Sequence, residues 1–147
     1  MGIFEKNNGF GREAMGDKVN VLLVDDEKIV GNRLKPALSK IGCEVEVYGD
    51  PKMALNRISE KEFDIVVTDI MMEGINGIQI LEAAQKKSDR TRVIVITGYA
   101  TVALAREAMD KGAFDIIEKP FRPDDIRAVI GSAAKDLGFH GDISKNA

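Results

Sequence analysis

The sequence predicts an α/β fold in which helices cover both faces of a parallel five-stranded sheet. Five short apolar runs, rich in β-branched residues, alternate with five segments whose apolar residues recur at helical spacing. Three of the runs, at 19–24, 63–68 and 92–97, are apolar almost throughout, which is typical of strands buried on both faces. The connections between successive elements are short, as in repeated βαβ units.

The first predicted strand, VNVLLV (19–24), is followed by a helix over 27–40. That helix contains Pro36, which cannot donate a backbone hydrogen bond, so we expect a kink or a lost hydrogen bond near Asn32. The second strand, CEVEVY (43–48), alternates in polarity like a half-covered edge strand.

Local capping signals mark the start of two further helices. Asp50 is expected to cap a helix that begins at Pro51, and Asn76 is expected to cap the helix after the third strand. The remaining predicted elements are strands at 63–68, 92–97 and 113–118 and helices at 76–86, 100–111 and 123–137.

Right-handed crossovers leave few arrangements for five such units, and the common strand order is 2-1-3-4-5. We therefore expect a doubly wound, flavodoxin-like (βα)5 domain over residues 18–138. Residues 1–17 show no sustained periodicity and are interpreted as a flexible leader, and residues 139–147 are interpreted as a C-terminal tail.

The composition argues against several classes of protein. A net charge of −3, with no basic stripe, argues against direct contact with nucleic acid. Cys43 is the only cysteine, which excludes an intramolecular disulfide, and a small buried residue is the expected role. No apolar run is long enough to span a membrane and no secretory signal is recognisable, so we expect a cytoplasmic protein.

Polar side chains stand at or just after the carboxyl ends of four predicted strands. These ends share one edge of a parallel sheet, and the crevice at that edge is where ligands bind in such folds. The side chains should therefore lie close together. They belong to Asp25, Asp26, Asp69, Thr97 and Lys119.

Three carboxylates at one edge repel one another, and the single positive charge of Lys119 leaves an excess of negative charge. Such an all-oxygen site suits Mg²⁺ or Mn²⁺ and leaves open positions for a phosphoryl group. Asp69, facing this site, is then a candidate nucleophile that forms an acyl phosphate. Taken singly, these residues have simpler roles as helix caps, turn residues or a solvated lysine, and it is their convergence that favours the site.

The motifs VLLVDDE, VVTDIMM-EGING, VIVITGYA and IIEKPF stand in an order and spacing that resemble the receiver domain of two-component response regulators. The resemblance covers roughly residues 19–137. Over residues 97–121 the chain is most similar to receivers of the nitrogen-regulator type.

The resemblance implies a role for each residue at the sheet edge. Asp69 would accept phosphate from a phosphohistidine on a sensor histidine kinase or a phosphotransfer protein. Asp26 and Asp69 would bind Mg²⁺ directly, together with the backbone carbonyl of Met71, and Asp25 would act through water. The protein would be a phosphoacceptor rather than a turnover enzyme.

The same resemblance implies how the signal is passed on. Thr97 would move to hydrogen-bond the phosphoryl group and Lys119 would pair with it, while the Lys119–Pro120 peptide would be cis. The output face would comprise helix four, strand five and helix five, roughly residues 100–137. It would act on a downstream effector protein or on a missing output domain, so both a stand-alone and a truncated receiver stay open, as does a phosphorylation-dependent homodimer.

Three positions depart from the usual pattern of the family. Glu73 replaces a proline, so the loop after Asp69 is expected to be more mobile. Ile116 replaces the aromatic residue that normally swings inward when Thr97 moves. Tyr99 could then gate the site instead, and Tyr99 with Met71 would flank the path of an attacking water and favour a long-lived phosphate.

Three other functions are compatible with parts of the pattern. A pseudo-receiver would bind partners without phosphorylation, but such domains usually lose at least one of the five site residues. An aspartyl phosphatase of the haloacid type needs an aspartate two residues after its nucleophile, where this chain has Met71. A flavodoxin-like nucleotide carrier needs a loop rich in Ser, Thr and Gly after the first strand, where this chain has DDEK.

Overall fold

Five parallel strands form the sheet in a computed structural model that describes residues 18–139, apart from the side chain of Tyr99. The leader predicted at 1–17 and all but the first residue of the predicted tail lie outside the described residues. The strands are β1 (Val19–Val24), β2 (Cys43–Tyr48), β3 (Ile65–Asp69), β4 (Arg92–Thr97) and β5 (Asp115–Glu118). Their order is β2-β1-β3-β4-β5, which confirms the predicted doubly wound fold.

Five helices connect or follow the strands, and a short 3-10 turn, Tyr99–Thr101, precedes the fourth helix. None of the helices within residues 18–139 has the length and apolar character needed to cross a membrane. The helices are α1 (Lys28–Ser39), α2 (Pro51–Glu60), α3 (Gly77–Lys87), α4 (Val102–Asp110) and α5 (Pro123–Asp136).

The predicted helix caps are confirmed. The Asp50 carboxylate accepts a hydrogen bond from the Lys52 backbone N–H at 2.9 Å. The Asn76 side chain accepts from the Gln79 N–H at 3.1 Å, and the Gln79 side chain accepts from the Asn76 N–H at 3.0 Å, which completes a capping box. Helix α1 continues through Pro36, which lies at an exposed position.

Two strands differ from the sequence prediction, β3 at both of its ends and β5 at its start. Strand β5 begins two residues later than predicted because the N–H of Ala113 still bonds to the Ala108 carbonyl at the end of α4. Strand β3 extends to Asp69, which pairs with Ile96 of β4. The candidate nucleophile is therefore part of the hydrogen-bonded sheet rather than of the following loop.

Two apolar clusters, one on each face, hold the sheet in place. Val21 and Leu23 of β1 pack in the cluster that includes residues of α1 and α5. Leu22 and Val24 point the other way, into the cluster formed with α2, α3 and α4. Burial on both faces explains why the central strands are apolar almost throughout. Because both faces are packed, the functional groups are confined to the ends of the strands.

Helix α3 starts in very close contact with the end of β3. The N–H of Gly77 donates to the Ile70 carbonyl at 2.8 Å. A Cβ atom at Gly77 would lie 2.7 Å from the Asp69 carbonyl oxygen and 2.9 Å from the Ile70 Cα. Both are backbone atoms that cannot turn aside as a side chain could, so this approach requires glycine.

We expect Gly77→Ala to destabilise the fold by about 1–3 kcal/mol, because the added methyl group overpacks a backbone-to-backbone contact. Urea unfolding followed by circular dichroism measures the change. Gly49→Ala is the matched control, since within residues 18–139 the only atom within 4 Å of its Cβ would be the Asp25 carbonyl oxygen, at 3.8 Å. That control should change stability by less than about 0.5 kcal/mol, and equal stability of the two variants would contradict the expectation.

Candidate functional site

Three carboxylates meet at the carboxyl edge of the sheet. Asp25 directly follows β1, and Asp69 ends β3, the neighbouring strand. Both are buried, with 2% and 7% of their surface exposed. Glu27 joins them, and one carboxylate oxygen of each residue lies within 4.8 Å of the other two. The expected convergence of Asp25 and Asp69 is therefore present in the fold.

Lys119 brings the positive charge of the site. Its Nζ donates to Asp69 Oδ2 at 3.1 Å and to the Glu27 carboxylate, and it lies 3.7 Å from Asp25 Oδ2. Burial by itself would lower the pKa of Lys119, but the hydrogen bonds to Glu27 and Asp69, together with the charges of Asp25 and Asp69, outweigh burial and raise that pKa. The Lys119–Pro120 peptide is cis, as expected. One ammonium group thus serves three carboxylates.

Asp25 is the least satisfied member of the group. Its Oδ1 accepts a hydrogen bond from the Glu27 backbone N–H at 2.8 Å, whereas its buried Oδ2 has no hydrogen-bond partner in the described protein. Burial raises the pKa of Asp25 to about 6, the Asp69 charge adds to this, and the Glu27 N–H and Lys119 oppose it. A buried carboxylate oxygen that lacks a hydrogen bond would be stabilised by one more positive partner.

Glu27 is a site residue that the sequence reasoning missed. It was assigned to the following helix, but it is the N-cap of α1, and its side chain makes no capping hydrogen bond. The carboxylate is therefore free to reach Lys119. The sequence signal was a third acidic residue directly after Asp25 and Asp26. Asp26 is exposed and stands outside the carboxylate cluster, so its role as a direct metal ligand stays a prediction.

Thr97 lies at the end of β4, beside β3, with 1% of its surface exposed. Its Oγ1 lies 2.6 Å from Thr101 Oγ1 and 3.1 Å from the Gly98 carbonyl oxygen. Its own carbonyl accepts the Lys119 N–H at 2.8 Å. The backbone therefore ties Thr97 to Lys119, while its hydroxyl is engaged with the loop that leads to α4.

The donor set suits a hard divalent cation. Carboxylate oxygens are the ligands that Mg²⁺ and Mn²⁺ prefer, and the cluster includes a buried oxygen, Asp25 Oδ2, that lacks a hydrogen bond. The three carboxylates together carry more negative charge than the one ammonium group of Lys119 can balance. The residues at this edge therefore fit the expected cation.

Residues 21–131 match the family described as the response regulator receiver domain. This chain belongs to that family. Receiver domains of two-component response regulators work as phosphoacceptor switches in signalling, and this chain has the five-stranded parallel sheet of such a domain.

Individual relatives support the assignment. The chain is 32% identical over 121 residues to the transcriptional regulatory protein FixJ of Bradyrhizobium diazoefficiens, covering 82% of this chain and 59% of FixJ. It is 36% identical over 120 residues to a putative response regulator, NtrX-like, of Rickettsia conorii, covering 80% of this chain and 25% of that protein. The similarity to receivers of the nitrogen-regulator type is thereby confirmed. The chain spans less than two thirds of the length of either relative.

A solved structure agrees with the fold. The CheY-like receiver domain protein from Methanospirillum hungatei superposes with a TM-score of 0.78 at 27% identity, over 85% of this chain and all of that one.

The other residues singled out in the receiver sequence lie around Asp69 or on β5. The Met71 N–H donates to Asp69 Oδ1 at 3.3 Å, and 55% of the Met71 surface is exposed beside the site. Ile116 is half-buried on β5. The Tyr99 side chain lies outside the described part of the structure, so its gating role stays a prediction.

Replacing Asp25 with Asn should stabilise the Mg²⁺-free receiver at neutral pH. The pKa of Asp25 rises from 3.8 to about 6 on folding, so its charge opposes folding above that range. The rise in pKa corresponds to a loss of roughly 2–3 kcal/mol in the free energy of unfolding at neutral pH. As the pH falls from 6 toward 3.8, the folded protein takes up the proton and the advantage of Asn disappears.

Urea unfolding over this pH range, with a chelator present, measures the effect of Asp25→Asn. Asp89→Asn, which removes an exposed loop carboxylate, is the control and should leave stability nearly unchanged at every pH. A loss of stability in Asp25→Asn at neutral pH, or a gain that does not depend on pH, would contradict the assignment of a buried, undercompensated charge.

Proposed function

We propose that this receiver accepts a phosphoryl group on Asp69 from a phosphohistidine of a sensor histidine kinase or a phosphotransfer protein. One observation carries the proposal. The Asp69 carboxylate, held at the end of a packed strand, lies 3.1 Å from Lys119 Nζ and shares its surroundings with two more carboxylates. A nucleophile held on the sheet is oriented before the donor arrives, which lowers the entropic part of the barrier.

In the transfer, an oxygen of Asp69 forms a bond to phosphorus while the bond from phosphorus to the histidine nitrogen breaks. The electron pair of that bond stays on the nitrogen, which takes up a proton as the neutral imidazole leaves. The product is an acyl phosphate on Asp69, and water later restores the carboxylate and releases inorganic phosphate. Lys119 offers its charge to the transferred oxygens.

The reaction as proposed needs Mg²⁺ or Mn²⁺. Asp26, Asp69 and the carbonyl of Met71 would hold the cation directly and Asp25 would hold it through water, while Glu27 offers one further oxygen at the same place. When bound, the cation supplies positive charge that neutralises the phosphoryl oxygens.

Phosphorylation would act by shifting an equilibrium between two conformations of the receiver. Thr97 would turn to donate its hydroxyl proton to the phosphoryl group, and the face built by α4, β5 and α5 would change. Ile116 stands on that face in place of the usual aromatic residue, so Tyr99 would serve as the gating aromatic.

The partners of this receiver follow from the same proposal. The receiver unit, residues 18–138, would act on a downstream effector or on an attached output domain, and a phosphorylation-dependent homodimer stays an open alternative. FixJ is a transcriptional regulatory protein. If this chain also controls transcription, it would do so through its effector or output domain. With a net charge of −3, the chain itself would not contact nucleic acid. We place this activity in the cytoplasm.

Incubation of the protein with acetyl phosphate and Mg²⁺ should add the mass of one phosphoryl group, because Asp69 can take the group from a small acyl phosphate as from a phosphohistidine. Intact-protein mass spectrometry detects the adduct. Asp69→Asn should show none, whereas Asp110→Asn, which alters an exposed carboxylate at the end of α4, should be modified as the wild type is.

An adduct that persists in Asp69→Asn would move the acceptor to another residue. The absence of an adduct in the wild type with acetyl phosphate, and also with phosphoramidate as donor, would refute the proposed function.

Mg²⁺ should raise the melting temperature of the wild type, because it binds the folded protein and not the unfolded chain. Asp25→Asn should bind Mg²⁺ at least roughly ten-fold more weakly, since one carboxylate charge is lost from the ligand set. Titration calorimetry gives the dissociation constant directly, which separates this effect from the change in stability without metal.

Glu46→Gln is the control for Mg²⁺ binding. Glu46 is a carboxylate on β2 that is paired with Arg57 at 2.8 Å and belongs to no part of the acidic cluster. Its replacement should leave the Mg²⁺ dissociation constant unchanged. Equal Mg²⁺ affinity in the wild type and Asp25→Asn would remove Asp25 from the metal site.

A further inference from the structure

A small hydrogen-bond network encloses the hydroxyl group of Thr97. Thr101 Oγ1 lies 2.6 Å from Thr97 Oγ1, 3.1 Å from the Gly98 carbonyl oxygen and 3.0 Å from the Gly98 nitrogen. Thr97 Oγ1 itself lies 3.1 Å from the same carbonyl oxygen. Two hydroxyls and one glycine residue therefore form a closed group.

We propose that Thr101 is a positioning residue that holds the Thr97 hydroxyl in its resting orientation and thereby limits how readily the receiver adopts its phosphorylated conformation. The inference rests on the proposed function of Asp69 as phosphoacceptor. It adds Thr101 to the switch, a residue that was not among the site residues expected from the sequence.

The count of protons shows that the network can satisfy all of its groups, whichever of the two hydroxyls donates to the other. The Gly98 N–H donates into Thr101 Oγ1. The Thr101 hydroxyl then has one proton of its own, for either Thr97 Oγ1 or the Gly98 carbonyl, and the Thr97 hydroxyl takes the partner that is left. With Thr101 present, every one of these groups is satisfied within the loop.

Because Thr97 is buried, breaking the hydrogen bonds of its hydroxyl group costs free energy. Thr97 is 1% exposed, so its hydroxyl cannot exchange a lost protein partner for bulk water. Under the proposed function the Thr97 side chain turns toward the phosphoryl group on Asp69, and this turn takes its Oγ1 away from Thr101 Oγ1, which now lies at 2.6 Å. The free energy of the new hydrogen bond is therefore partly offset by the loss of the old one. The Thr97–Thr101 hydrogen bond favours the resting state to the same extent.

The position of Thr101 places this contact between the site and the output face. Thr101 ends the 3-10 turn and is the N-cap residue of α4 (Val102–Asp110), and its N–H donates to the Gly98 carbonyl at 3.1 Å. The residue that senses Asp69 is thus bonded to the residue from which α4 begins. A change at Thr97 removes a hydrogen bond at the start of that helix.

The test is the affinity of the full chain for beryllofluoride, a non-covalent phosphoryl analogue, in the presence of Mg²⁺. Thr101→Val keeps the shape of the side chain and removes its oxygen, so the resting state loses its hydrogen bond to Thr97. We expect the dissociation constant, from a fluorine NMR titration, to fall roughly two- to ten-fold. Thr101→Ala should shift it in the same direction.

Two further variants separate positioning from general stability. Thr101→Ser restores the oxygen and should return the dissociation constant to the wild-type value. Thr91→Val removes a buried hydroxyl that donates to the Phe63 carbonyl at 2.7 Å, just before β4 and away from the acidic edge. It should lower the melting temperature without changing the affinity for beryllofluoride.

The outcomes distinguish this inference from the function on which it rests. If the wild type binds beryllofluoride and both Thr101→Val and Thr101→Ala bind it equally or more weakly, the role of Thr101 is wrong and the phosphoacceptor function stands. If neither the wild type nor any variant binds beryllofluoride or takes up phosphate, the phosphoacceptor function is wrong, and the role of Thr101 is wrong with it.

Discussion

The site depends on one electrostatic constraint, which is that three carboxylates share a single ammonium group at the edge of the sheet. Asp25 and Asp69 are buried, so water screens their charges poorly. Lys119 reaches both, at 3.7 Å and 3.1 Å, and also reaches Glu27. One positive charge cannot balance three negative ones. The remaining negative charge opposes folding, and under the proposed function it is also what would attract a cation and, with the cation, a phosphoryl group.

The packing of the sheet maintains this unfavourable arrangement. Residues before Asp25 and Asp69 are buried on both faces, in two separate apolar clusters. Asp69 is also paired with Ile96 across the ladder between β3 and β4. The carboxylates cannot move apart to relieve their repulsion unless the strands that carry them also move. Hydrophobic burial, which is not directional, thus holds charged groups in a specific geometry.

Two residues that contact the site stand at the starts of helices. Glu27, the N-cap of α1, contacts Lys119 through its side chain and Asp25 through its N–H. Thr101, the N-cap of α4, contacts Thr97. A new charge on Asp69 would compete for the two groups that Glu27 and Thr101 now engage. The packed sheet holds Asp69 in place, and under the proposed function these two contacts are the ones that a phosphoryl group would displace.

Much of this protein could be predicted from its sequence because the deciding interactions are local. Hydrophobic periodicity indicated every strand and helix, and the Asp50 and Asn76 caps involve residues only two or three positions away. The topology of a parallel sheet then brought Asp25, Asp69, Thr97 and Lys119 to one edge. Predicting that they lie together required no knowledge of side-chain conformation, since the carboxyl ends of neighbouring parallel strands share one edge.

Tertiary structure alone decided the contacts that depend on side-chain direction or on distant partners. Glu27 and Lys119 are 92 positions apart, and their contact requires that the side chain of Glu27 is not used as a helix cap. Asp25 turns inward and Asp26 outward, a choice between adjacent identical residues that depends on how the chain leaves β1. The Thr97–Thr101 contact requires the 3-10 turn before α4, which hydrophobic periodicity does not reveal. The sequence determined that Asp25, Asp69, Thr97 and Lys119 gather at this edge, because the ends of parallel strands meet there. The folded backbone decided that Glu27 joins them and that Asp26 does not.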